Sequence, residues 1–313
     1  MEDSVLAMIG HMDKHKNGGP FNIHAYYQEF TYDVINRLAM GRAQSEQWKN
    51  KDVEVVKQLF LRTHRVFPWY LTVMFPFLQS TVRKVFWNHK NIRGGDVDKI
   101  FKYCEKSVLD RIAERAKNAK LGIENPHNDF IDMLLDHYTE NEIQDQAFGT
   151  QIEKKVTCED VIGSCFIFLL AGFDTTANTL GYITYLLAKH PEKMRMAQEE
   201  VDSICTSESI SYDDISKFKY VNGVVKEALR LYPVAWLWLE PETRHKMSWI
   251  PFGAGLRTCV GMRLGLAESK TAIAHILRRY SIVGGPKTEE KLKIKGCTTN
   301  SPEKVTVYLK SRF

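Results

Sequence analysis

Apolar residues recur at intervals of three and four along much of the chain. Over residues 27–38 they fall on one face of an α-helix. The same spacing predicts helices over 95–117 and 129–137. Residues 67–87 are rich in Phe, Trp and Leu and are broken by two prolines, which is typical of a helix–loop–helix that is buried or faces a membrane. We therefore expect a mainly helical region from about residue 22 to 232.

The longest predicted helix begins after Thr157. Thr157 and Asp160 form a Ser/Thr-x-x-acid capping pattern, and an apolar run starts at Val161. The pattern continues to Pro191, which is expected to open the next helix. A transmembrane span is the alternative interpretation. Asp174 lies near the middle of the helix, and an acid at the centre of a bilayer costs roughly 2.5–3.5 kcal/mol, so a core helix is favoured.

Beyond residue 232 the pattern changes. Frequent prolines and glycines up to residue 261 indicate irregular chain, and a helix is predicted over 262–280. Alternating apolar and polar residues over 291–297 and 304–309 predict two short strands. The fold class is therefore expected to be mainly α with a minor β part.

Composition narrows the function classes. Apolar residues make up 44% and charged residues 26%, as in a globular protein with a sizeable core. The net charge of +5 suits contact with an acidic protein or an anionic membrane surface, but the mixing of both signs disfavours nucleic-acid binding. The 6 cysteines are scattered, which argues against a zinc site or a disulfide framework. Residues 1–13 lack the pattern of a signal peptide or membrane anchor, so no transmembrane anchor is expected in this chain.

One short stretch carries the strongest chemical signal. It reads Phe252-Gly-Ala-Gly255-Leu-Arg257-Thr-Cys259-Val-Gly261. This stretch resembles the haem-binding loop of the cytochrome P-450 superfamily, Phe-x-x-Gly-x-Arg-x-Cys-x-Gly, at all five fixed positions. By chance such a match would occur in roughly one chain per ten thousand or fewer.

The resemblance implies that Cys259 is the axial ligand of a haem iron, and that Phe252, Gly253 and Arg257 contact haem b. The chemistry of these residue types agrees with that role. Glycines let the backbone approach a flat cofactor, and Arg257 can offer paired donors to a propionate. The helix that follows Cys259 would favour a thiolate. The alternative is that Cys259 is an ordinary buried thiol in a glycine-rich turn. The complete motif favours the haem ligand over this alternative.

A second stretch, Ala171-Gly172-Phe-Asp174-Thr175-Thr176, lies in the long helix. It resembles the oxygen-activation segment of the same family. The resemblance implies that Ala171 and Gly172 border the cofactor, that Thr175 hydrogen-bonds dioxygen and that Asp174 relays protons from solvent. Threonines within a helix can also bond back to a carbonyl oxygen and open the helix locally.

A third pattern is Glu227-x-x-Arg230. It resembles the family's Glu-x-x-Arg pair, which implies a buried, structural pair that supports the haem loop. Residues 30–35 and 129–135 resemble microsomal members of the family-three kind.

The chain departs from the family pattern in three places. The membrane anchor and early helices of the family are expected to be absent. A block is expected to be missing near residues 234–238, because Trp238 follows Pro233 so closely, and Leu256 replaces a usual proline. Burying Glu227 and Arg230 without a third arginine would cost about 1–3 kcal/mol for each unsatisfied group. The resemblance thus implies one incomplete cytochrome P-450 domain over residues 1–313.

The resemblance implies a monooxygenase that inserts one atom of dioxygen into a lipophilic substrate. It also implies electrons from NADPH through a flavoprotein reductase, and a place on the cytosolic face of the endoplasmic reticulum membrane with peripheral membrane contact. The alternative is a catalytically incompetent, haem-loose family fragment or splice product.

Overall fold

Helices dominate the structure, as the apolar spacing predicts. The computed structural model describes residues 1–60, 67–86, 94–139, 155–235, 249–296 and 299–312. The helices are α1 (Glu2–Met12), α2 (Ile23–Ala39), α3 (Asp52–Phe60), α4 (Phe67–Met74), α5 (Gln79–Val85), α6 (Gly94–Leu121), α7 (Phe130–Leu135), α8 (Cys158–Lys189), α9 (Pro191–Ile204), α10 (Tyr212–Lys217), α11 (Tyr220–Leu231) and α12 (Met262–Arg279). The strands are β1 (Phe21–Asn22), β2 (Tyr280–Val283), β3 (Ile294–Lys295), β4 (Ser301–Pro302) and β5 (Thr306–Ser311). The mainly α class with a minor β part is confirmed.

The long helix α8 begins where the capping pattern predicts. The Asp160 backbone N–H donates to the Thr157 hydroxyl at 3.2 Å, and the Thr157 backbone N–H donates to the Asp160 carboxylate at 2.9 Å. Within the described ranges, α8 is the one helix long and apolar enough to span a bilayer. Its side chains at Phe173 and Leu180 are nevertheless fully buried in the protein, as in a core helix. Pro191 is the first residue of α9, as expected.

The chain forms two compact units. One comprises Met1–Thr31, Gln47–Lys49 and Gly172–Phe313, and the other comprises Tyr32–Glu46 and Asn50–Ala171. In the first unit, β1, β5 and β2 form an antiparallel sheet with β5 in the centre. Helix α12 packs against α1, α9 and α11 in this unit. In the second unit, α6 packs against α3 and α7.

A buried ion network joins α6 to α7 in the second unit. The Arg111 guanidinium donates to Asp129 at 2.8 Å and also pairs with Asp132, and all three side chains are at most 8% exposed. Gly41 lies against this network with φ at +66°. Asp129 also caps α7, because its side chain accepts from the Asp132 backbone N–H.

Several elements differ from the expectation. Helix α1 was not anticipated, although Val5, Met8 and Met12 show the helical spacing and are fully buried. Strand β2 was also missed, because its four residues follow α12 without a turn signal. The strand predicted over 291–297 is only two residues long, since β3 pairs only with the two residues of β4.

The segment of α4 and α5 has the predicted helix–loop–helix form, with a short 3₁₀ turn at Pro76–Leu78. Its apolar side chains are not buried, however. Val73 is 75% exposed, Phe77 is 77% exposed and Val85 is 70% exposed. Of the two environments expected for this segment, burial is therefore wrong for these side chains, and a membrane-facing role stays a prediction.

Candidate functional site

The loop that carries Cys259 is shaped by its own backbone. The Cys259 N–H donates to the Phe252 carbonyl oxygen at 2.8 Å, and the Gly253 N–H donates to the Ile250 carbonyl oxygen at 2.8 Å. Gly253 and Gly255 have φ values of +74° and +72°, in the left-handed region that favours glycine. The turn itself therefore requires glycine at positions 253 and 255.

Helix α12 follows the loop directly. Gly261 is the residue before its first turn, and the Met262 N–H donates to the Cys259 carbonyl oxygen at 3.3 Å. Cys259 thus lies at the N-terminal end of an 18-residue helix, where the helix dipole favours negative charge.

The functional side chains of the loop are exposed at the surface of the chain. The Cys259 and Arg257 side chains are exposed. Leu256, just before Arg257, and Val260, just after Cys259, are also exposed, Val260 by 80%. A soft thiol, a cation and two apolar side chains on one loop suit a flat apolar group that carries a metal and carboxylates. The residues present therefore fit haem b.

The second predicted segment lies within α8. Ala171 is exposed and Gly172 is half-buried, so the helix surface there is small and open. Asp174 is buried and Thr175 is half-buried. The helix continues through all of these residues, so the expected local opening is not seen. One threonine hydroxyl does bond back to a carbonyl oxygen one turn earlier. The residue is Thr179, whose hydroxyl donates to the Thr175 carbonyl oxygen at 2.8 Å.

Helices α8 and α12 approach one another in the first unit. A Cβ atom added to Gly265 of α12 would lie 3.5 Å from the hydroxyl oxygen of Thr176 on α8. Gly265 is six residues beyond Cys259, and Thr176 follows Thr175. At this point the helix that follows the thiol loop therefore lies beside the helix that carries Asp174 and Thr175.

Asp174 lies in a polar cluster that the sequence did not reveal. Asn178 and Thr299 both donate to the Asp174 carboxylate, Asn178 at 2.6 Å. His24 and Ser301 in turn contact the Asn178 side-chain oxygen, at 2.9 and 3.0 Å. Burial raises the pKa of Asp174 to about 6, and the two donated hydrogen bonds act in the opposite direction.

Among the other residues of this cluster, only Asn178 carried a sequence signal. Asn178 lies four residues after Asp174 and so shares its helix face. Thr299 and His24 are more than a hundred residues away in the chain, and their contacts arise from tertiary packing alone.

The Glu227–Arg230 pair forms, but at the surface. Two hydrogen bonds of 2.7 Å join the guanidinium to the carboxylate, and this pairing lowers the pKa of Glu227. The side chains are 51% and 48% exposed, so the expectation that they are buried is wrong in this structure. The cost expected from burying them without a third partner is therefore absent.

The expected gap near residues 234–238 lies mostly outside the described residues, which resume at Trp249. Up to Ala235 the chain is held by Asn300, which donates from its side chain to the Pro233 carbonyl oxygen at 2.7 Å. The backbone N–H of Asn300 donates to the Val234 carbonyl oxygen at 2.8 Å.

Comparison with known proteins agrees with this chemistry. The family model described as Cytochrome P450 matches residues 1–240 and 236–307. A relative from Caenorhabditis elegans, putative cytochrome P450 cyp-13B1, is 55% identical over 361 aligned positions, which cover all of this chain and 71% of the relative. Putative cytochrome P450 CYP13A1 from the same organism is 35% identical over 373 positions, with the same two coverages. With the thiol loop and the acid–threonine helix, these matches show that the chain belongs to the cytochrome P450 family.

Proposed function

We propose that this chain is a haem-thiolate monooxygenase that inserts one atom of dioxygen into a lipophilic organic substrate. The observation that carries the proposal is the Cys259 loop, whose backbone hydrogen bonds hold an exposed thiol at the start of α12. Family membership supports monooxygenase chemistry in general.

The residues that would hold haem b follow from the loop. Cys259 would supply the thiolate ligand, and the Arg257 guanidinium would bind a propionate. Phe252 and Gly253 would lie along the macrocycle, with Ala171 and Gly172 providing a helix surface that has no large side chain. When bound, haem supplies the activation of dioxygen, with its thiolate ligand favouring O–O cleavage.

Asp174 and Thr175 would take part in proton transfer at the site. The half-buried Thr175 hydroxyl can donate or accept a hydrogen bond beside the cofactor surface. Asp174 is the adjacent residue, and burial raises the pKa of its carboxyl to about 6, closer to neutral pH.

Electrons would come from NADPH through a flavoprotein reductase, with exposed Arg263 near the start of α12 available to an acidic partner. Peripheral contact with the cytosolic face of the endoplasmic reticulum membrane is supported by exposed apolar side chains at Val73, Phe77 and Val85. Lipophilic substrates would be concentrated at such a surface.

A second candidate is a haem-loose, catalytically incompetent product of the same family. It is favoured by the family match, which falls in two segments that meet at residues 236–240. The 361 positions aligned with the first relative also exceed the 313 residues of this chain. An internal block missing from this chain accounts for both facts and would remove part of the cofactor's surroundings.

The test is a carbon monoxide difference spectrum of the reduced, haem-reconstituted chain. The wild type should show the red-shifted Soret band of a haem thiolate, and Cys259→Ala should lose it. Cys158→Ala is the matched control, because Cys158 is a free cysteine in the first turn of α8 that belongs to neither motif. A wild type without that band contradicts the monooxygenase proposal. Haem retained through gel filtration, with NADPH-dependent product, contradicts the haem-loose alternative.

A further inference from the structure

A chain of buried hydrogen bonds leads away from Asp174. Thr299 and Asn178 both donate to the same carboxylate oxygen, Oδ2. The other end of the Asn178 amide contacts His24 Nε2 at 2.9 Å and the Ser301 hydroxyl at 3.0 Å. These residues come from α2, α8 and the segment around β4, so the chain joins three parts of the first unit.

The direction of each hydrogen bond follows from the donors present. The Asn178 amide nitrogen donates to Asp174, so its oxygen is the acceptor for both other partners. His24 must then carry a proton on Nε2. Because Oδ2 of Asp174 already accepts two hydrogen bonds, a proton on this carboxyl would be carried by Oδ1.

The whole cluster is buried. Asp174 is 1% exposed, and the four other residues of the cluster are at most 8% exposed: Asn178, His24, Ser301 and Thr299. Within the described ranges, no Lys or Arg side chain forms an ion pair with Asp174. Neutral donors alone therefore stabilise its charge.

The surroundings of Asp174 contain few ionisable groups. In the described parts of the first unit, those linked to Asp174 are His24 on α2, reached through Asn178, and Tyr182 on α8, whose pKa is raised first by burial and then by the charge of Asp174. Burial is the largest influence on Asp174 itself, and Thr299 and Asn178 oppose it. Removing either donor should make the ionised carboxyl less stable.

We propose that Asn178, Thr299 and His24 are positioning residues that fix the Asp174 carboxyl through Oδ2 and so set when it takes up and releases a proton. Thr299 and Asn178 act directly, and His24 acts by orienting the Asn178 amide. The proposal rests on the proposed function, because it assigns partners to the acid of that same site. It adds residues from α2 and the β4 segment that no motif contains.

The test follows the Asp174 carboxyl itself by infrared spectroscopy across pH, in the full chain with and without haem. The signal lost in Asp174→Asn identifies its C=O band. In the wild type this band should titrate near pH 6. Thr299→Val and Asn178→Leu should each move the midpoint upward by roughly one pH unit, because each removes one donor to the carboxylate.

Conservative variants distinguish a specific effect on the Asp174 carboxyl from a general loss of protein stability. Thr299→Ser keeps the hydroxyl and should titrate as the wild type does. Thr184→Val is the matched control, because it deletes a buried hydroxyl on α8 that contacts Tyr27 at 2.6 Å and not Asp174. His24→Gln retains a side-chain N–H and should restore the midpoint that His24→Leu shifts.

In the haem-loaded chain, the pH dependence of product formed per NADPH should move with the same midpoints. Equal titration in Thr299→Val, Asn178→Leu and Thr184→Val would overturn the proposal. If those variants do not fold, a His24→Leu chain whose Asp174 band titrates as in the wild type overturns it equally. A normal titration in a chain without the haem-thiolate spectrum would instead leave the network in place and contradict the proposed function.

Discussion

The backbone N–H of Cys259 donates to the carbonyl oxygen of Phe252 at 2.8 Å, and this bond closes the turn that presents the thiol. The bond uses only main-chain atoms. Substitution of the Cys259 side chain should therefore leave the loop in place, so that loss of a thiolate spectrum in Cys259→Ala reports on the ligand and not on folding.

The loop glycines should be intolerant of a side chain. Gly253→Ala and Gly255→Ala place an L-residue at φ values above +70°, which costs about 1–2 kcal/mol each. We expect lower thermal stability and weaker haem retention in both variants, measured by calorimetry and by gel filtration. Gly223→Ala, at an exposed position of α11, is the control and should instead stabilise the chain by about 0.5–1 kcal/mol. Unchanged haem retention in both loop variants would contradict the assigned role of the turn.

Thr175→Ala should separate electron use from product formation. The thiolate ligand is untouched, so the carbon monoxide spectrum should remain normal, while product per NADPH falls because a hydroxyl near the cofactor surface is lost. Product and NADPH consumption are measured in the same reaction. Thr184→Ala, which removes a hydroxyl elsewhere on α8, should keep the wild-type ratio. A wild-type ratio in Thr175→Ala would exclude Thr175 from proton handling.

The raised pKa of Asp174 makes stability depend on pH. Its pKa rises from 3.8 to about 6 on folding, so its favourable contribution is full below pH 4 and is lost as pH increases through 6. The stability of Asp174→Asn relative to the wild type should therefore rise with pH. This rise should amount to about 1 kcal/mol between pH 5 and pH 7 in urea unfolding.

Asp160 provides the control for that experiment. Hydrogen bonds from Thr157 lower its pKa, so its contribution is constant above the unfolded value. The difference between Asp160→Asn and the wild type should therefore not change between pH 5 and pH 7. An Asp174→Asn difference that is equally flat would show that burial does not raise the pKa of this carboxyl on folding.

Gly41→Ala should destabilise the second unit strongly. The new Cβ would collide with the Asp129 carboxylate and the Arg111 guanidinium, and the φ of +66° is already unfavourable for alanine. We expect a loss of at least about 3 kcal/mol in chemical denaturation. Gly122 has the same φ with no atom within 4 Å of a new Cβ, so Gly122→Ala should lose only about 1–2 kcal/mol. Equal losses of stability in the two variants would mean that small movements of the Asp129 and Arg111 side chains remove the collision at little cost in free energy.

Arg230 and Arg111 should differ in their importance for stability. The Arg230 side chain is 48% exposed and pairs with Glu227 in solvent, so Arg230→Ala should cost under about 1 kcal/mol. The Arg111 side chain is 8% exposed, and Arg111→Ala leaves two carboxylates buried without it, at a cost of about 3–5 kcal/mol. Denaturant midpoints compare the two. A large loss in Arg230→Ala would indicate that this pair is buried in the working protein.

The sequence by itself determined the local features of this protein. The Thr157 cap, the span of α8 and the position of Pro191 follow from short-range hydrogen bonding and helical spacing. The glycines around Cys259 could be identified because left-handed backbone conformations exclude most other residues.

Tertiary structure decided what depends on distant partners. The contacts of Asp174 with Thr299 and, through Asn178, with His24 join residues more than a hundred positions apart. The exposure of Glu227 and Arg230 is likewise a property of what packs around α11. Helical spacing repeats over a few turns and carries no information about which distant segment covers a given face, so these features appear only when the chain is folded.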